Sequence, residues 1–79
     1  MTATIEKALI CDVKSGSFNN VAYNKLLAYD KGRLMSLSLK DDELIDLCKN
    51  GIACYAKIDC DMSMFDGKSK FTVKSIEIL

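Results

Sequence analysis

Val21 to Leu39 reads VAYNKLLAYDKGRLMSLSL, and the way this stretch folds back on itself decides the architecture of the chain. Val, Tyr, Leu and Met give both arms a strand-like composition. Asp30-Lys31-Gly32 lies between the arms, and Gly32 can take the positive φ that a three-residue hairpin loop needs. With Tyr29 and Arg33 flanking that loop, Leu27 falls opposite Met35, Lys25 opposite Leu37 and Tyr23 opposite Leu39. A slip of one residue exchanges the two faces. Leu26 and Leu34, on the other phase, imply a curled sheet buried in part on both sides. The polar residues of the arms are tyrosine, lysine, arginine, asparagine and serine. Such a set suits a sheet face that touches a flat, charged, stackable ligand, and it contains nothing in favour of catalysis.

Upstream, residues 3–14 (ATIEKALICDVK) read as a first strand, with Ile5, Leu9, Cys11 and Val13 in one phase and Ala8 and Ile10 in the other. Apolar residues in both phases mean burial on both faces, or a bent strand shared by two halves of a barrel. SGSFNN at 15–20 is a turn-forming cluster whose Phe18 either plugs the loop or projects as a contact. Downstream, DDELIDLCKN at 41–50 is the one good helix. Asp41 is its N-cap, Asp42 and Glu43 favour the positive end of the dipole, and Leu44, Ile45, Leu47 and Cys48 form its apolar stripe. Asn50-Gly51 ends it with a residue able to adopt a left-handed cap.

IACYAKIDC at 52–60 alternates cleanly as a strand, and DMSMFDGKSK at 61–70 reads as a long turn with Asp66-Gly67 at its tip. KFTVKSIEIL closes the sequence as a last strand whose change of apolar phase predicts a bulge near Lys74-Ser75. Strand, strand, strand, short helix, strand, strand is the order of an OB-fold: an all-β, five-stranded Greek-key barrel with one helix. A five-stranded SH3-like barrel is the rival, and its connections do not normally place a capped two-turn helix at this point.

Seventy-nine residues predict one domain spanning 1–79, and 49% hydrophobic with 28% charged residues predicts a globular one. A core this small usually needs a disulfide, a metal or a partner subunit. The four cysteines, at 11, 48, 54 and 60, form no CxxC pair and have no histidine beside them, so no metal or cofactor is expected. Their expected role is that of small buried hydrophobes. Self-association as a homodimer is then the remaining support.

No apolar run approaches the roughly 20 residues of a membrane helix. The opening MTATIEKALI carries an acid and a base and no cleavage-like site. Reduced thiols in a cytoplasm, and no membrane, are the expectation.

The calcium-loop pattern begun by Asp59, Asp61 and Ser63 fails at Met64 and Lys70, where glycine and glutamate are needed. Gly67-Lys68-Ser69 resembles the end of a P-loop, but Met62 occupies the earlier glycine position. The carboxylates at 41–46 are explained by helix capping, and no base stands ready to activate a thiol. The chain is not expected to be an enzyme.

What remains is aromatic and basic. Tyr23, Tyr29 and Tyr55 lie on strands, while Phe18 and Phe65 lie in the two longer loops. Lys25, Lys31, Arg33, Lys57, Lys68 and Lys70 are interleaved with them. Single-stranded nucleic acid is bound by such a set, because every base has a face to stack and every nucleotide a phosphate. Formal net charge is zero, but residues 1–40 hold six Lys/Arg against three acids, and residues 41–66 hold two against seven. A basic face on one side of the fold is therefore open. An OB barrel carries its ligand across strands 2 and 3, between the loops joining strands 1–2 and 4–5. Here each of those loops holds a phenylalanine. The structural alternative is that the tyrosines cap the core edge, the phenylalanines pin their loops and the lysines solubilise. The functional alternative is a protein-interaction module using a sheet edge or the acidic helix face.

The chain resembles the small single-stranded DNA-binding proteins of bacteriophages, particularly the gene V type of filamentous phages. The shared outline is Tyr23…Leu26-Leu27-Ala28-Tyr29…Gly32, then Phe65-Asp66-Gly67 and Ile76-Glu77-Ile78-Leu79. The helix at 41–49 and the acids at 41–46 depart from the gene V pattern, and the helix follows the general OB one. The resemblance implies a symmetric dimer that coats single-stranded DNA without sequence preference during phage or mobile-element replication. RNA is the alternative ligand. Carried over position by position, it implies contacts at Tyr23, Tyr29, Lys31, Arg33 and Phe65.

Overall fold

Three two-residue turns set the register of three of the five strand pairings. Asn19-Asn20 (φ 51° and 63°), Lys31-Gly32 (50° and 80°) and Asp66-Gly67 (51° and 74°) each place two successive residues at positive φ. That is the signature of the type I′ turn, whose twist matches the strands it joins. Asparagine, aspartate and glycine tolerate this region, and lysine enters it here at Lys31 because the hairpin closes around it.

The computed structural model describes residues 2–79, apart from the side chain of Phe65. The elements are β1 (Thr2–Phe18), β2 (Val21–Asp30), β3 (Arg33–Ser38), α1 (Asp42–Asn50), β4 (Tyr55–Phe65) and β5 (Lys68–Ile78). They close into a barrel in the order β1-β2-β3-β5-β4, an OB-type arrangement with its helix between the third and fourth strands.

The tight turns correct three sequence expectations. Residues 15–18 and 61–65 continue their strands, so the predicted loops at 15–20 and 61–70 shrink to Asn19-Asn20 and Asp66-Gly67. The central turn holds two residues instead of three, with Asp30 opposite Arg33. The register therefore slips by one: Leu26 faces Leu37, Leu27 faces Ser36 and Lys25 faces Ser38. Leu26 and Leu37 share the buried face, which is the pairing that the hydrophobic effect favours.

β1 is the bent strand expected. Its first half pairs with β4 and its second half with β2. Register shifts between Ile5 and Ala8, and between Ile10 and Asp12, change its phase twice. Ala8 and Ile10 thereby become fully buried, with Ile5 and Val13 packed against them. On β5 the extra residue is Lys74, between partners Val73–Cys60 and Ser75–Asp59, where the bulge was expected.

The helix caps as anticipated at its start, where the Glu43 N–H donates to Asp41 Oδ1 at 3.0 Å. Ile45 and Cys48 bury its stripe. Its end differs. Gly51 has φ −103° and is not a left-handed cap. It is glycine for room, since a Cβ there would stand 2.9 Å from Ile78 Cδ1 and 3.2 Å from the Leu47 carbonyl oxygen. The left-handed residue is Ala53 (φ 73°), in the turn that delays β4 to Tyr55. Ala53 N–H donates to the Ile10 carbonyl at 2.8 Å, and Ile10 N–H donates to the Cys54 carbonyl at 2.9 Å.

Ile10, Leu26, Leu37 and Ile58 are fully buried. Each contributes about 1.5–3 kcal/mol by leaving water. Two cysteines join this core and two do not: Cys48 and Cys60 are buried, whereas Cys11 and Cys54 are exposed, and all four are free thiols. The expectation of four buried cysteines fails because one sits at the β1 bulge and the other just before β4. Burial pushes the Cys48 thiol up to about 11. Cys60 is raised too, first by burial and then by Asp59 and Asp61. Among the described residues no helix is long and apolar enough to cross a membrane.

Candidate nucleic-acid interface

The two turns bounding β2 fix which of its side chains face out. Phe18 pairs with Val21 at one end and Asp30 with Arg33 at the other. Between them Leu26 and Ala28 point into the core, so Tyr23, Lys25, Leu27 and Tyr29 share the outer face. β1 and β3 extend that face on either side. Gly16 lies opposite Tyr23, Lys14 opposite Lys25, Leu9 opposite Tyr29, and Leu34 beyond Tyr29.

Along this face the order is aromatic, aromatic, lysine pair, leucine beside Asp12, aromatic. Phe18 projects at the β1–β2 turn, 74% exposed. Its two open alternatives thus resolve to projection. Tyr23 (45% exposed) lies across the β1 backbone: a Cβ on Gly16 would stand 2.7 Å from the Tyr23 Cζ atom. The end of the ring rests over Gly16, and the residue stays half-exposed. Tyr29 (47% exposed) stands six residues further along β2, roughly 20 Å away at about 3.3 Å per residue.

Lys14 and Lys25 are direct cross-strand neighbours. Like charges placed opposite one another are unfavourable. Among the described residues the one ion pair is Lys74–Asp61 at 3.8 Å, so neither lysine is in one. Asp12 lies on this same face, two residues from Lys14 and opposite Leu27, and its Oδ1 accepts from the Val13 N–H at 2.8 Å. With no ion pair to either lysine, an anion between the two ammonium groups would relieve their repulsion.

At the Phe18 end, a groove of about 230 Å³ opens between β2, β3 and β5, lined by Tyr23, Asn24, Ser38, Leu39, Lys40 and Lys70 among others. Asn24 is oriented there by Ser15, whose Oγ donates to its Oδ1 at 2.5 Å. This is the place between the two connections at which OB barrels take ligands. Lys68 is exposed at the β4–β5 turn. Phe65, the partner expected for Phe18, lies outside the described residues as far as its side chain is concerned.

At the other end, Leu9 pairs with Tyr29 on β2 and with Tyr55 on β4. A row Tyr55–Leu9–Tyr29–Leu34 thus crosses four strands. Tyr55 is 49% exposed, and Lys7 Nζ lies 4.7 Å from its ring centroid. Lys31 and Arg33 are exposed at the adjoining turn. Lys57, half-buried two residues beyond Tyr55 on the same face of β4, lies opposite Glu77.

The outer face of β1, β4 and β5 around Asp59 is of another kind. Thr4 Oγ1 donates to Asp59 Oδ1 at 2.8 Å, and Ser75 Oγ donates to Asp59 Oδ2 at 3.0 Å. These hydrogen bonds, the Thr4 one first, hold the Asp59 carboxyl below its usual range, with Lys57 and Lys74 adding to the effect. Polar groups there satisfy one another.

Lys14, Lys40, Leu9 and Leu34 escaped the sequence reading. The signal for Lys14 was Asn19-Asn20: read as a type I′ turn, it sets Lys14 opposite Lys25 by counting alone. Lys40 could not be found that way, because only barrel closure carries it to Lys70. The chain matches no family model, no curated protein and no solved structure.

Proposed function

We propose that this protein binds single-stranded DNA, without sequence preference, on the outer face of β1, β2 and β3. The observation that carries the proposal is the Lys14–Lys25 cross-strand pair, neither lysine in an ion pair among the described residues, set between exposed Tyr23 and Tyr29. Bases stack on Phe18, Tyr23 and Tyr29, each stack contributing roughly 1–3 kcal/mol. Lys14 and Lys25 hold phosphates midway, Lys40 and Lys70 at the groove end, and Lys31 and Arg33 at the far turn. Tyr55 with Lys7 continues the path over β1. In this reading the protein is a binder and not a catalyst. It coats DNA during phage or mobile-element replication in a host cytoplasm, as the gene V-type resemblance implies.

Fluorescence anisotropy of a labelled oligo-dT, titrated with the purified protein at low and moderate salt, tests this. Micromolar or tighter binding is expected, weaker on duplex. Its logarithm should fall with the logarithm of salt by about 0.7 per phosphate neutralised. Absence of binding at low salt ends the proposal. An equally tight oligo-rU complex would extend it to RNA.

A further inference from the structure

The barrel is closed unevenly, and its weakest seam is between β3 and β5. Their ladder consists of the single pair Ser38–Thr72. The remainder of β3 has β2 on one side and, among the described residues, no strand on the other.

The type I′ turn says which main-chain groups are left over. A two-residue hairpin makes Asp30–Arg33 a hydrogen-bonded pair, and such pairs alternate with non-bonded ones. Ala28–Met35 and Leu26–Leu37 are therefore bonded, and the Leu39 N–H donating to the Asn24 carbonyl at 2.9 Å continues the same alternation. Leu34 and Ser36 turn their N–H and C=O away from β2. Both residues are exposed, Leu34 by 63%. Beside this edge lies an apolar cavity of about 280 Å³, lined by Ile5, Met35, Leu37, Cys60 and Phe71 among others.

We propose that a second copy of this chain docks on the free edge, β3 against β3, about a two-fold axis at Met35. The edge is complementary to a copy of itself. Centred there, Leu34 faces the partner's Ser36 and Ser36 faces the partner's Leu34. Both are hydrogen-bonded pairs of the antiparallel pattern, so every unpaired donor on the edge meets an acceptor. The same rotation sets Met35 beside the partner's Met35 on the cavity side of the sheet, and covers Leu34. A chain of 79 residues with only free thiols and, among its described residues, no metal-ligating cluster gains from this added burial. The sheet would then run through both copies and join two outer faces of β1, β2 and β3 into one surface.

Dimerisation through this edge does not require nucleic-acid binding, and its test reads mass alone. Sedimentation of the full chain without DNA, across the micromolar to near-millimolar range, should show a monomer–dimer equilibrium. Ser36→Pro removes an N–H that has no partner within one copy, at a strand edge where proline is tolerated. It should raise the dimer dissociation constant roughly tenfold or more by removing two bonds, with the circular dichroism of the dilute protein unchanged. Ser36→Ala keeps the amide and should dimerise as the parent does. Leu34→Lys places a charge on the edge and should also yield monomer, which covers the case in which the proline variant does not fold. A parent protein that stays monomeric throughout overturns the inference. So does a folded proline or lysine variant that still dimerises.

Discussion

The two outer faces of this barrel are made from the same strand type and differ in how their polar groups are satisfied. On β1, β4 and β5, Asp59 takes hydrogen bonds from Thr4 and Ser75, and Lys74 reaches Asp61. On β1, β2 and β3, two lysines stand opposite one another between half-exposed tyrosines, and neither is in an ion pair among the described residues. The first arrangement is complete without a ligand. The second would gain from an anion and a stacking partner. Zero net charge thus conceals a division by face.

The largest effect expected from breaking that contrast is on affinity. Replacing Tyr23 and Tyr29 by alanine together should cost about 1–3 kcal/mol for each ring that stacks a base, measured by oligo-dT anisotropy, with thermal unfolding little changed. Lys74→Ala on the other face should leave affinity within error. Equal losses from both faces would erase the distinction.

Next in size is Gly16→Ala. The added methyl occupies the space under the Tyr23 ring and must displace it. Affinity should fall severalfold by the same titration although no ligand-contacting side chain has been removed. Unchanged affinity would mean that Tyr23 need not lie flat to bind.

Lys14→Glu sharpens the comparison because its two effects have opposite signs. It turns a like-charge cross-strand pair into an attractive one, so stability should rise by a few tenths of a kcal/mol in chemical denaturation. Affinity should fall, and the salt slope should shrink by about 0.7 for each phosphate no longer neutralised. A loss of stability would show that the pair is already relieved within the fold.

The smallest effect is that of pH on the satisfied face. Asp59 is held below its unfolded value near 3.8, so its contribution to stability is present above that value and is lost as pH falls through the lower folded value. Thr4→Val should therefore destabilise slightly at neutral pH, and the difference from the parent should vanish once acid protonates Asp59. DNA affinity at neutral pH should not change. A stability difference that persists in acid would assign the Thr4 effect to packing.

Much of the architecture follows from local rules. The bent first strand was legible in its double apolar phase, the helix start in Asp41, and the last-strand bulge near Lys74 in a change of phase. The number and order of strands sufficed for the OB barrel. Register was less accessible, because a two-residue and a three-residue loop fit the same Asp-Lys-Gly and differ by one position in every pair beyond it. The long loops depart from expectation for a related reason: serine, asparagine and glycine in SGSFNN suit a turn, but paired strand backbone overrides their propensity up to Phe18.

What the sequence determined alone is whatever depends on neighbours within a few residues: strand and helix identity, caps, and the supply of exposed aromatics and lysines. Tertiary structure decided the rest. It turned Gly51 from a cap into a close-packed contact, sent Cys11 and Cys54 to the surface, brought Lys40 to the same groove as Lys70 and set Lys57 opposite Glu77. It also left β3 with an unpaired edge beside an apolar cavity. Each of these depends on where a strand meets a partner distant in sequence. That meeting is fixed by closing the barrel around one core, which no local pattern encodes.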